Sequence, residues 1–328
     1  MTRLIVTDDP SAAGGLVEAG RADIAIPFEQ RLVWGPLPST AGAAGLFAAR
    51  TNQEQGDHWL DFVPPKRLEK FGLANMGLVE VFSQCESVEL WFDPKPNAQL
   101  MLLWLLTELY NQGKVIPSVV LRYADRYIGE MDKTEIARWD VPAVPVTENH
   151  FQVASLAWQA YRASTPKAWF NLLKEDLSLL PQLGPCVIEL LEELPSATTG
   201  LGATEMRILE LISAGYVRPF GIFPHGRSRL QRRVYGYWEI GCLLDGLVLA
   251  PTPAVEGLAE TPFTPELHNL RERHERYSKS TLSLTSLGKA LVARKDDFSR
   301  HNPIDRWWGG THLTNDNLWR WNPALIKL

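Results

Sequence analysis

The stretch Ala98–Gln112 carries Leu100, Met101, Leu102, Leu103, Trp104, Leu105 and Leu106 in one unbroken run. A helix apolar on most faces must be buried on most faces, so it requires a sheet or other helices around it. The residues before it supply the sheet. Val88-Glu89-Leu90-Trp91-Phe92 reads as a strand, and Pro94 and Pro96 forbid its continuation. Asn97 is the expected N-cap and Gly113 the expected stop. Ile116–Leu121 then offers a second strand. Strand, buried helix, strand favours a parallel α/β arrangement.

The N-terminus repeats the pattern. Leu4-Ile5-Val6 is a short apolar run, Ala12–Ala19 is helix-compatible with Ser11 as N-cap, and Ala22–Phe28 is strand-like again. Residues 1–125 are therefore predicted to form a Rossmann-like parallel-sheet domain. A proline-broken loop with Pro142 and Pro145 follows, then helical patterns at Phe151–Arg162, Pro166–Asp176 and Leu183–Glu193. Residues 126–199 read as a helical connector, closed by Ser196–Gly202. Helices beginning at Thr204 and Tyr235, a strand at Leu282–Thr285 and a helix at Ser286–Arg294 suit a winged-helix-like domain over 200–328.

These blocks resemble a bacterial family known only as domain of unknown function 1835. The similarity rests on Val6-Thr7-Asp8-Asp9-Pro10-Ser11-Ala12-Ala13-Gly14, Trp34-Gly35-Pro36-Leu37 and Leu90-Trp91-Phe92-Asp93. It continues through Leu282–Gly288, the block from Ile304 to Leu313 (IDRWWGGTHL) and Trp319-Arg320-Trp321. The family commonly shows an acid-histidine-acid run after the WF strand, where this chain has Asp93-Pro94-Lys95. The resemblance implies an architecture and no reaction.

Some functions are excluded by what the chain lacks. Neither GxGxxG nor GxxxxGK[ST] occurs, which disfavours a nicotinamide dehydrogenase or a P-loop ATPase. There is no HExxH, and no nucleophile-elbow motif that would mark a serine hydrolase. Cys85, Cys186 and Cys242 are too scattered for a zinc site or a disulfide framework. With no signal-peptide core at the N-terminus and no apolar run near ~20 residues, a cytoplasmic protein without a membrane partner is expected.

In open α/β sheets, ligands bind beyond the carboxyl ends of the strands. Asp8, Asp9 and Ser11 follow the first strand, and Asp93 and Lys95 follow another. They are the ligand-binding candidates, and Asp8, Asp9 and Asp93 together suit Mg²⁺. The same acids equally suit turns and helix caps. A nucleotide here needs the metal or a sugar-hydroxyl contact, because bare carboxylates repel phosphate.

The second candidate is basic. Arg218, Arg227, Arg229, Arg232 and Arg233 occur with no acid between them, and Leu201–Leu328 holds 17 basic and 13 acidic residues, net +4. The remainder holds 16 and 25, net −9. Arg227, Arg229, Arg232 and Arg233 are candidates for nucleic-acid phosphates, or form a solvated loop. In the terminal block, Asp305, Arg306 and His312 are candidates among four tryptophans that either stack on a base or strap the tail to the core. His312 suits acid–base work only if a carboxylate such as Asp305 is near. Three functions stay open: a nucleotide-responsive, nucleic-acid-associated regulator, a metal-assisted hydrolase or transferase on a phosphorylated or nucleotide substrate, and a protein-interaction module.

Overall fold

The computed structural model describes residues 2–28, 30–39, 45, 47–50, 58–63, 69–73, 76–112, 119–224 and 232–325. The chain divides into two compact units, the first mostly residues 1–186 and the second mostly 187–328.

The first unit is built on five strands: β1 (Arg3–Thr7), β2 (Ile24–Pro27), β3 (Ser87–Trp91), β4 (Val119–Arg122) and β5 (Ala143–Pro145). Their order is β2-β1-β3-β4-β5, parallel except for β5. Helix α1 (Pro10–Glu18) links β1 to β2, α2 (Leu78–Gln84) precedes β3, and α3 (Pro96–Asn111) follows it. The β1–α1–β2 and β3–α3–β4 crossovers run in opposite directions along the sheet. Right-handed crossovers then place α1 and α3 on opposite faces. The α1 face holds Ile5, Leu16, Ala25, Trp91 and Ile128, with Ile136 from α4 (Lys133–Arg138). Helix α3 is buried from Ala98 through Leu109, as its composition requires, and packs on α5 (Glu148–Tyr161).

Three expectations shift locally. Asp9, not Ser11, caps α1: its carboxylate accepts from the amides of Ser11 at 2.7 Å and Ala12 at 3.0 Å, with Pro10 in the first turn. Lys95, not Asn97, holds the cap position of α3. Asn97 instead accepts from the Leu32 amide and donates to the Gln30 carbonyl, tying down the chain beyond β2. The proline-broken loop contributes β5, since an edge strand tolerates Pro145. The first unit thus runs past residue 125 and includes α5 and α6 (Lys167–Asn171), and α7 (Leu183–Leu191) carries the chain into the second. Residues 116–118 of the fourth predicted strand, like Gly113, lie outside the described residues.

The second unit contains α8 (Ala203–Ser213), α9 (Tyr237–Leu249), β6 (Val255–Glu256), α10 (Pro265–Asn269), α11 (Arg271–Lys279), β7 (Ser283–Leu284), α12 (Ser286–Val292), and the hairpin β8 (Asp305–Trp308) and β9 (Thr311–Thr314). The β6–β7 ladder is two residues long and encloses two helices, so the only hairpin among the described residues is the aromatic block. Gly202 rather than Thr204 caps α8, its amide donating to Glu205. Trp308 donates its indole N–H to the Leu190 carbonyl at 2.8 Å, and Trp321 is buried beside the Pro195–Ala197 backbone. The tail is a strap.

One buried acid of this unit is poorly served. Asp245 accepts the Phe263 amide through Oδ2, while Oδ1 and the nearby Tyr277 hydroxyl have no hydrogen-bond partner among the described residues. Burial, only partly offset by that amide, pushes the carboxyl up to about 6 from 3.8. Because the folded state binds this proton more tightly, stability is fullest below 3.8 and is lost as pH rises through about 6. Asp245→Asn keeps the acceptor for Phe263 and removes the charge. It is expected to stabilise the chain by up to about 3 kcal/mol at pH 8 and by little at pH 4, read from urea midpoints.

Candidate functional site

The strand order reverses between β1 and β3, and ligands in such sheets bind at that point. The register pairs Thr7 with Trp91, so the residues just beyond them approach one another. The Asp93 amide donates to Asp8 Oδ1 at 3.2 Å. Asp93 is wholly buried. Its Oδ1 accepts the Ile128 amide at 2.7 Å and its Oδ2 meets Lys95 Nζ at 2.5 Å. The Gln99 amide fixes the Asp93 carbonyl at 2.7 Å. Lys95 Nζ also lies 5.3 Å from the Tyr127 ring centre, a cation–π distance. Four of the five sequence candidates (Asp8, Asp9, Asp93 and Lys95) are thereby brought together, and exposed Ser11 contributes its backbone amide to Asp9.

The electrostatics differ between the two central acids. Burial and the neighbouring Asp93 charge push the Asp8 carboxyl up to about 7, against the pull of Lys95 and the Asp93 amide. Burial also raises Asp93, with Lys95 and the Ile128 amide opposing. For Lys95, burial lowers the ammonium, but Asp93 and Asp8 outweigh it and the net direction is upward. The short contact between Asp93 Oδ2 and Lys95 Nζ is an ion pair. Asp8, partly exposed and with only Oδ1 hydrogen-bonded among the described residues, is poised to give or take a proton.

The acids expected to suit Mg²⁺ have other partners in the structure. Asp9 is spent on two helix amides, and Asp93 on an amide and an ammonium. Among the described residues, no group of three His, Cys, Asp or Glu is placed to hold a metal. The cation at this edge is Lys95. Tyr127 and Gly129 were not legible in sequence: a Cβ on Gly129 would lie 2.8 Å from Asp9 Oδ1, so the loop after β4 closes on the acids only because it is bare.

The basic candidates fall differently. Arg227 and Arg229 lie outside the described residues. Arg232 is bound within its own unit, to Glu192 at 2.8 Å and to buried Glu193 at 2.8 Å, and Arg233 also has an intramolecular partner. In the hairpin, Arg306 pairs with Glu205 at 2.9 Å. His312 Nε2 does meet Asp305 Oδ1, at 2.7 Å, with the imidazole stacked on Trp307 at 4.7 Å. This pair is exposed, Asp305 at 80%.

In comparisons with known proteins, no family model matches the chain and no curated protein matches it significantly. These comparisons neither support nor contradict the resemblance to domain of unknown function 1835.

Proposed function

We propose that the first unit is a small-molecule receptor whose ligand sits at the carboxyl edge between β1 and β3 and exchanges a proton with Asp8. The convergence of Asp8 on the Asp93–Lys95 pair at the strand-order reversal carries this reading. The chemistry selects the ligand group. Asp9 and Pro10 leave few α1 amides for an anion, and the local acids outnumber Lys95, so phosphate is disfavoured at this edge. A hydroxyl or amine suits it, such as the sugar part of a nucleoside.

A thermal-shift screen of nucleosides, sugars and small amines at pH 6 and pH 8 tests this. A ligand at 100 times its Kd adds about 2.7 kcal/mol of stability. That gain is expected to differ between the two pH values and to vanish in Asp8→Asn. The variant itself is expected to be the more stable protein at pH 8, because Asp8 ionised beside Asp93 is unfavourable. A hit that stabilises Asp8→Asn equally at both pH values defeats the proposal.

A second reading gives the other unit a winged-helix-like, nucleic-acid-associated role. Its support is the +4 balance of residues 201–328 and the helix α12 that follows β7. The two readings combine in a ligand-responsive regulator.

A further inference from the structure

We propose that the second unit holds a binding site for a phosphorylated small molecule, with Arg294 as its direct anion ligand. A cavity of about 480 Å³ opens beside α8 and the Ser196–Gly200 turn. That volume falls within the range of small-molecule sites. Arg207, Arg232 and Arg294 reach it from three separate elements, Thr198 borders it, and Trp321 and Met206 give it an apolar side.

The three arginines are not equivalent. Arg232 is neutralised by Glu192 and Glu193, and Arg207 pairs with Glu210 at 3.4 Å. Among the described residues, Arg294 has no side-chain partner, so its guanidinium is the one of the three that can meet an anion without giving up an ion pair. Its backbone is also unusual, with φ at +56°, the only non-glycine residue with positive φ among those described.

The reason lies at the end of α12. The Lys295 amide donates to the Ala290 carbonyl and the Arg294 amide to Leu291, both at 2.9 Å. This pairing closes a helix through one left-handed residue, normally glycine. The chain places arginine there at a conformational cost, and among the described residues no hydrogen bond or ion pair of the guanidinium offsets it. Strain of this kind clusters at binding sites.

The hydroxyl-bearing turn favours phosphate. Ser196 Oγ accepts the amides of Thr198 and Thr199, both at 3.1 Å, and lies 2.9 Å from Thr198 Oγ1. That arrangement holds an exposed hydroxyl at the wall of the same cavity that Arg294, itself exposed, also lines, and a guanidinium fork with a hydroxyl suits a phosphate. The apolar side formed by Trp321 and Met206 suits an organic remainder.

Calorimetric titration with inorganic pyrophosphate at fixed ionic strength tests the site. Arg294→Gly supplies the residue the backbone prefers, so it is expected to raise Tm while weakening pyrophosphate binding about tenfold or more. Arg294→Lys keeps the charge but not the fork, and is expected to bind with intermediate affinity. Asp8→Asn is expected to bind pyrophosphate like the native chain, which separates this site from the one at the sheet edge. Absence of pyrophosphate binding by the native protein overturns the proposal. So does undiminished binding by Arg294→Gly.

Discussion

Replacing Arg232 with alanine is expected to destabilise the second unit by about 3–5 kcal/mol, the usual penalty for stripping one partner from a buried ion pair. Glu193 is the reason. Its side chain is 1% exposed and receives Arg232 through both Nε and Nη2, at 3.0 and 2.8 Å. Without the guanidinium it keeps the Thr204 hydroxyl at 2.6 Å and the Thr204 amide at 3.1 Å but loses its ion-pair partner, and the Arg306 charge that also acts on it is already paired with Glu205. Burial already raises this carboxyl despite Arg232, so the variant is expected to bind a proton at Glu193 and to recover part of the loss at low pH. Urea denaturation at pH 5 and pH 8 reads both effects. Arg232→Met combined with Glu193→Leu removes the pair as a unit and is expected to cost far less than the single change.

This bears on the nucleic-acid reading. A drop in binding on Arg232→Ala reports lost structure rather than a lost phosphate contact. The informative quantity is the salt dependence of the native chain, where each phosphate neutralised adds about −0.9 to the log–log slope.

The sequence was most informative where periodicity and burial act over consecutive residues. The alternation of β1, α1, β2, β3 and α3 follows from runs such as Leu4–Val6 and Leu100–Leu106, and the strand ends carry the acids with them. Choices decided within one residue were less legible: Asp9 and Ser11 both suit a cap, and only the position of Pro10 as the first helical residue separates them. Strand β5 escaped because three residues with a proline show no period. Partners distant in sequence escaped altogether. The row of arginines near Arg232 reads as an open basic loop until Glu192 and Glu193, some 40 positions earlier, close on it. The partners of the acids expected to suit Mg²⁺ escaped for a related reason, since three nearby acids show neither that Asp9 is already a cap nor that Lys95 folds back onto Asp93.

Lys95→Met is expected to be the most damaging change in the first unit, costing about 3–5 kcal/mol at pH 8. It leaves Asp93 Oδ2 buried without its cation, next to a second carboxylate. The sign of the pH dependence identifies the cause. Asp8 and Asp93 both bind protons more tightly in the folded state than in the unfolded chain, and loss of the lysine raises both further. Stability of the variant is therefore expected to climb as pH falls from 8 through the raised values, and to level off near 3.8. Adding Asp93→Asn is expected to restore most of the stability at pH 8, because the amide still offers an acceptor to Ile128 and no buried charge is left unpaired. Asp8 in that double variant faces neither the acid nor the ammonium. Burial and the Asp9 charge then raise it against the retained amide of residue 93, and its carboxyl is expected to stay above the ordinary value of 3.8, a titration that carboxyl NMR resolves. If the double variant folds but no longer distinguishes pH 6 from pH 8 in ligand binding, the Asp93–Lys95 pair positions the proton that Asp8 exchanges. If the pH response survives, Asp8 acts by itself and the pair serves only to hold β3 and the Ile128 loop together.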